Sequence, residues 1–105
     1  MKKIDLFKEN GFKDKSMSML LVHESENFKI LNFNFEPGQS LPVHSHPIDG
    51  ELCIAVLEGE GFFLDGEGNK IPAAPGDTLI SEIAVPHGVE ATTRMRILVT
   101  IAPPI

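Results

Sequence analysis

The chain consists of short apolar segments separated by turn-forming residues. Glycine occurs 9 times and proline 8 times among 105 residues, at short and fairly regular intervals. Runs of Val, Ile, Leu and Phe between such turn signals are typical of an all-β sandwich or barrel. The pattern predicts strands at Ser16–His23, Asn27–Glu36, Leu41–His44, Glu51–Leu57, Gly61–Leu64, Lys70–Ala73, Thr78–Ile80, Gly88–Thr92 and Arg94–Ile101.

Two of these strands alternate between apolar and polar positions. In Met95–Ile101 every second residue is apolar, and in Leu31–Phe35 an apolar face lies opposite Asn32 and Asn34. Since successive side chains of a strand point to opposite faces, both patterns predict a sheet with one buried face. The first ten residues have room for a single helical turn.

Length and charge limit the class of protein. A chain of 105 residues fits one domain, 1–105, and we expect residues 1–15 to be an N-terminal extension. The net charge of −6 argues against a nucleic-acid partner, because phosphate binding requires a basic face. No run approaches the roughly 20 apolar residues that span a bilayer, and the charged N-terminus does not resemble a signal peptide. A single cysteine agrees with a reducing compartment, so a cytoplasmic location is expected.

Three histidines and a carboxylate are the strongest chemical signal in the sequence. His44 and His46 are two residues apart, so an extended backbone presents both imidazoles on one face. Glu51 follows them at the start of an apolar run, and His87 lies further along behind a proline. Imidazole and carboxylate together suit a first-row divalent metal.

The same residues resemble the two sequence motifs of the cupin family. Five residues separate Gly38 from His44-Ser-His46, and four residues then lead to Glu51, as in the first motif. Seven residues, rather than the motif's six, separate Glu51 from Gly59. The second motif is represented by Gly76 and by a correctly spaced His87, although Glu82, Ala84 and Ala91 replace its Pro, Gly and Asn.

The resemblance covers about residues 28–103 and implies a jelly-roll barrel, also called a double-stranded β-helix. It further implies that His44, His46, Glu51 and His87 bind one divalent transition metal, which the donor types leave open among Fe, Mn, Ni, Co and Zn. Asp49 is the alternative carboxylate, because the extra residue after Glu51 disturbs the motif at that point.

Four further residues are candidates for a pocket wall. If Glu51 faces inward, alternation also turns Cys53 inward, although a buried cysteine usually acts as a small apolar side chain. Phe33 and Phe35 are mainly expected in the core, with a share in the pocket wall as the alternative. Gln39 lies between Gly38 and the histidines, where it would touch a ligand or simply belong to the loop.

Three functions are compatible with this pattern. The first is a small metalloenzyme, a dioxygenase or an isomerase, that acts on a small oxygenated molecule. The second is a non-catalytic ligand-binding or sensor protein, and the third is a metal-stabilised structural partner. A small open barrel must also protect its strand edges, so we expect a homodimer that uses Ser16–His23 and the apolar tail Ile101–Ile105.

Overall fold

A computed structural model describes all residues, 1–105, and consists almost entirely of strands. One short helix, α1 (Leu6–Glu9), precedes nine strands: β1 (Ser18–Glu24), β2 (Lys29–Phe35), β3 (Ser40–His44), β4 (Glu51–Glu58), β5 (Gly61–Asp65), β6 (Lys70–Ala73), β7 (Thr78–Glu82), β8 (His87–Ala91) and β9 (Met95–Ala102). Each predicted strand is present, with ends that differ by no more than a few residues. The predicted helical turn is α1, which is capped by the Asp5 carboxylate through the N–H of Phe7.

The strands form two antiparallel sheets that pack face to face. The larger sheet has the order β1-β2-β9-β4-β7, and the smaller has the order β3-β8-β5-β6. Apart from the β1–β2 and β5–β6 pairs, neighbouring strands are not consecutive in the sequence, as in a jelly roll. The prediction of an all-β double-stranded β-helix is confirmed. No helix in the chain has the length and apolarity required to cross a membrane.

The core lies between the two sheets and follows the alternation of the strands. Fourteen buried apolar residues form one cluster, which includes every second residue of β9 from Met95 to Ile101. Cross-strand pairing places the inward-facing residues of neighbouring strands side by side: Leu31 of β2 lies opposite Val99 of β9, which lies opposite Ile54 of β4. These rows bring the apolar faces of the two sheets together.

The outer face of the larger sheet is also covered at its centre, contrary to the prediction of one buried face. Asn32 and Asn34 are fully buried beneath residues of the N-terminal extension. Asn32 accepts a hydrogen bond from the Asn10 side chain at 2.8 Å, and Asn34 donates to the main-chain oxygen of Gly11 at 2.8 Å. Amide side chains tolerate burial when their donors and acceptors are paired, so polar positions here mark a covered face.

One tight turn shows why the chain requires glycine at a particular position. Gly59 joins β4 to β5 with φ +78°, a conformation that side chains rarely adopt, and a Cβ there would collide with the main-chain oxygen of Arg94. Glycine therefore allows the β4–β5 turn to lie directly against the start of β9.

Candidate metal centre

A cavity of about 210 Å³ opens between the two sheets at one end of the barrel. Most of its wall is apolar and comes from both sheets. The apolar lining residues are Leu31, Phe33, Leu41, Leu52, Ile54, Val99, Ile101 and Ile105. The polar lining residues are Lys29, His44, His46 and His87. An apolar cavity with a few convergent polar groups is the usual form of a small-molecule site.

Strand register brings two of the histidines together. His44 ends β3 directly opposite His87 at the start of β8, after an irregularity between Leu41 and His44 shifts the pairing. The adjacent Gly88 permits this close pairing, because a Cβ there would lie 2.7 Å from the main-chain oxygen of Leu41. His46 follows two residues later, with its N–H hydrogen-bonded to the main-chain oxygen of Ile83 at 3.2 Å.

The imidazole of His44 lies at short range from each of the other two. The ring centroids of His44 and His87 are 4.7 Å apart, and those of His44 and His46 are 5.5 Å apart. Nδ1 of His44 donates to the main-chain oxygen of Pro42 at 2.8 Å, and Nδ1 of His87 donates to that of Val85 at 2.7 Å. Because a carbonyl only accepts, each neutral ring carries its hydrogen on Nδ1 and keeps the lone pair of Nε2.

The environment of His87 favours its neutral form. The residue is only 4% exposed. Burial lowers the pKa of its imidazole below the ordinary 6.5, the hydrogen bond to the Val85 oxygen partly opposes this shift, and the proximity of His44 and His46 lowers the pKa further. A neutral imidazole is the form that coordinates a metal.

The donor set suits a first-row divalent ion, although the side chains as they stand do not enclose one. No group of three or more His, Cys, Asp or Glu side chains is arranged to hold a metal ion directly. Two imidazoles that share an ion through bonds of about 2.1 Å have ring centres about 4.5–5.5 Å apart, which is the spacing of the His44–His46 and His44–His87 pairs. Backbone carbonyls on Nδ1 are also the usual outer partners of ligating histidines. His44, His46 and His87 are therefore the residues that would hold a metal.

The carboxylate implied by the sequence resemblance points away from this cavity. Glu51 is exposed and lines a shallow groove with Cys53 and Thr100 on the outer side of the larger sheet, whereas Leu52 is buried and lines the cavity. Adjacent residues of a strand face opposite ways, so the seventh residue between Glu51 and Gly59 turns Glu51 outward. Asp49, the alternative, is exposed and does not line the cavity.

The four pocket candidates lie in different surroundings. Phe33 lines the cavity, but Phe35 is fully buried in the core away from it. Cys53 shares the outward face of Glu51, which corrects the expectation that alternation would turn it inward. Gln39 connects the loop after β2 to the N-terminal extension: its side-chain oxygen accepts from the N–H of Glu36, and its amide donates to the main-chain oxygen of Lys13 at 2.8 Å.

Sequence reasoning named only Phe33 and the three histidines among the lining residues, and Lys29 and Ile105 are two of those it missed. Lys29 has the same strand parity as Leu31 and Phe33, so the alternation of β2 was a signal that it faces inward. Ile105 lies beyond the last strand, and no periodic pattern places it. Lys29 Nζ donates to the main-chain oxygen of Ile105 at 2.7 Å, a contact between residues 76 positions apart.

Comparisons with known proteins agree with this architecture. A family model described as "Cupin domain" matches residues 31–101. An RmlC-like cupin protein from Desulfovibrio desulfuricans is 56% identical, with 100% of this chain and 99% of that chain covered and a TM-score of 0.96. The protein TT1209 from Thermus thermophilus is 28% identical, with 100% of each chain covered and a TM-score of 0.88.

A more distant structure shares the fold alone. The polyketide cyclase RemF from Streptomyces resistomycificus is 22% identical, with 97% of this chain and 79% of that chain covered and a TM-score of 0.78. No curated protein matches the chain significantly.

Proposed function

Because the chain belongs to the cupin domain family, we propose that it is a small metalloenzyme that oxidises a small oxygenated organic molecule. His44, His46 and His87 would hold one divalent metal ion. The observation that carries this proposal is the convergence of three imidazoles, two of them with a free Nε2, on one largely apolar cavity.

The protein's own residues have three tasks in this proposal. The histidines hold the ion, and the carbonyls of Pro42 and Val85 keep two of the rings in the required tautomer. The apolar wall excludes water and leaves room for a ligand beside the ion. A bound divalent metal would polarise an oxygen atom of that ligand or, as iron, activate dioxygen.

The contents of the cavity favour oxidation over isomerisation. An isomerase that moves protons needs a positioned acid and base. The chain contains no tyrosine, and no Asp or Glu side chain lines the cavity. Apart from the histidines, Lys29 is the only lining residue with a titratable side chain. Chemistry that depends mainly on the metal is therefore better supported than chemistry that depends on a side-chain base.

Metal analysis tests the ligand set. Protein purified without added metal should contain a first-row divalent metal, and the His44→Ala and His87→Ala variants should bind that metal at least about tenfold more weakly. Glu51→Gln is the matched control, since this carboxylate faces outward, and it should keep the wild-type content. Unchanged metal in both histidine variants would contradict the proposal.

Oxygen consumption tests the reaction. The Fe²⁺-loaded protein should consume dioxygen with at least one member of a panel of thiols, enediols and diketones, and His87→Ala should abolish this activity. If the metal is bound but no member of the panel supports oxygen uptake, the non-catalytic ligand-binding function becomes the better account.

A further inference from the structure

The segment that follows β9 forms part of the cavity wall. We infer that residues 103–105 are a strap that opens to admit a ligand, and that the contact between Lys29 and Ile105 is the latch that holds the strap closed. This inference rests on the proposed function in that the cavity behind the strap is the proposed ligand site, but it does not require a bound metal.

The strap begins on one side of β9 and reaches the other. In the larger sheet, β9 lies between β4 and β2. Gly50, directly before β4, leaves space for the start of the strap, because a Cβ there would lie 2.5 Å from both the main-chain oxygen of Ala102 and Cδ of Pro103. Ile105 contacts Lys29, the first residue of β2. The strap therefore crosses the end of the barrel at which the cavity opens.

Few polar contacts hold the strap. Residues 103–105 make no hydrogen bond between main-chain groups, and two of the three are prolines, which have no N–H. Lys29 Nζ supplies their one hydrogen bond, to the main-chain oxygen of Ile105 at 2.7 Å. The strands of the same wall, β2, β9 and β4, are instead joined by long antiparallel ladders. A segment with so few hydrogen bonds opens locally at a much smaller free energy than the barrel unfolds.

The side chain of Ile105 is the apolar part of the latch. It is half-buried, packs against the main hydrophobic cluster and lines the cavity. Opening the strap transfers this apolar surface to water, so its burial favours the closed state. Both parts of the latch lie at one residue and are lost together when the strap opens.

The surroundings of Lys29 allow it to release the strap at low cost. Its side chain is 20% exposed, and Nζ lies 3.6 Å from a carboxylate oxygen of Glu24, which is 52% exposed. An ammonium has three N–H donors, so Lys29 contacts Glu24 and Ile105 at the same time. When the strap opens, the ammonium keeps Glu24 and gains water in place of the Ile105 oxygen. Opening therefore leaves no buried charge without a partner.

The rate at which a thiol reagent reaches the cavity tests the strap. Val99 lines the cavity and is 4% exposed, so Val99→Cys in a Cys53→Ser background reports access to the cavity. Chelator-treated protein is reacted with methyl methanethiosulfonate, a small neutral reagent, and the labelled fraction is followed by mass spectrometry. Lys29→Met and Ile105→Ala should each raise the labelling rate about tenfold, because each removes one part of the latch.

Two controls separate opening of the strap from other effects. Glu24→Gln removes the ion pair of Lys29 but keeps the latch, so labelling of Val99→Cys should proceed at the parent rate. Val89→Cys replaces a fully buried core residue outside the cavity and reports unfolding of the barrel, so it should be labelled far more slowly than Val99→Cys.

The inference is overturned if Val99→Cys is labelled as slowly as Val89→Cys, or if both Lys29→Met and Ile105→Ala leave its rate unchanged. Because no metal takes part in the labelling, these outcomes are independent of the metal analysis that tests the proposed function.

Discussion

At the scale of single residues, His87 is the side chain of the site most affected by its surroundings. It is buried against His44 and His46, it has Asp65 as its cross-strand neighbour on β5, and it shares the cavity with Lys29. Burial is the main cause that lowers its pKa below 6.5. The protein therefore keeps this imidazole neutral at a pH where an unfolded chain would begin to protonate it.

This shift predicts a loss of stability in acid. As the pH falls below 6.5, the unfolded chain binds a proton at His87 before the folded chain does, so the free energy of unfolding decreases until the folded pKa is passed. Above that range His87 contributes no pH dependence. Urea unfolding of chelator-treated protein at about pH 7.5 and about pH 5.5 measures the difference.

The same measurement on two variants isolates His87. His87→Gln should lose less stability between the two pH values than wild type, whereas His23→Gln, outside the cavity, should behave as wild type does. An identical pH dependence in wild type and His87→Gln would contradict the assignment.

At the scale of elements, the N-terminal extension is held against the larger sheet by a buried arginine. The side chain of Arg96 in β9 is 5% exposed. It donates to the main-chain oxygens of Leu6 at 3.0 Å and Asn10 at 3.1 Å, and it pairs with Glu58 at 2.7 Å. Its guanidinium also lies 4.3 Å from the ring centroid of Phe7. One side chain thus joins the extension, β9 and β4.

Loss of this side chain should be costly. We expect Arg96→Met to lower the free energy of unfolding by about 2–3 kcal/mol, because it removes two hydrogen bonds to the extension and the ion pair of a buried guanidinium with Glu58. Arg94→Met is the matched control: Arg94 also pairs with a glutamate, Glu36, but is 63% exposed, so its loss should cost about 1 kcal/mol or less. Equal effects in chemical denaturation would contradict this account of how the extension is held.

The elements also show where alternation is an incomplete guide. Alternation correctly identified the apolar residues of β9 as its buried face, because that face packs against the other sheet. It misjudged Asn32, Asn34 and Arg96, whose polar side chains are buried by the extension. Hydrogen-bond partners for all three come from the extension, and a polar pattern cannot distinguish water from such partners.

At the scale of the whole molecule, the two sheets differ in width. The larger sheet has five strands and the smaller has four, with β1 at an edge. Met19 and Leu21 of β1 pair with Phe33 and Leu31 and share their inward parity, yet they are 58% and 50% exposed. The apolar inner face of the larger sheet therefore extends past the smaller sheet, and a second copy of the chain is the partner we expect to cover it.

Light scattering after size-exclusion chromatography tests this dimer. Wild type should have twice the 11.5 kDa mass of one chain. The double variant Met19→Glu/Leu21→Glu should be a monomer, because burial of two carboxylates in the dimer interface is unfavourable. Ile80→Glu is the control at the opposite edge strand, where Ile80 is 63% exposed, and should remain dimeric. A monomeric wild type would disprove the prediction.

The sequence by itself determined the strands, their turns and the inward face of most of them, because these depend on neighbouring residues along the chain. It also identified the three histidines, since strand geometry places His44 and His46 together and the family motif adds His87. Tertiary structure decided that neither Glu51 nor Asp49 joins them. Seven residues rather than six separate Glu51 from Gly59, and the sequence alone does not show which residue of β4 then faces inward. The pairing of β4 with β7 and β9 turns Leu52, and not Glu51, toward the cavity. Lys29 and Ile105 meet at that cavity only after folding, because contacts between residues 76 positions apart depend on how the sheets pack.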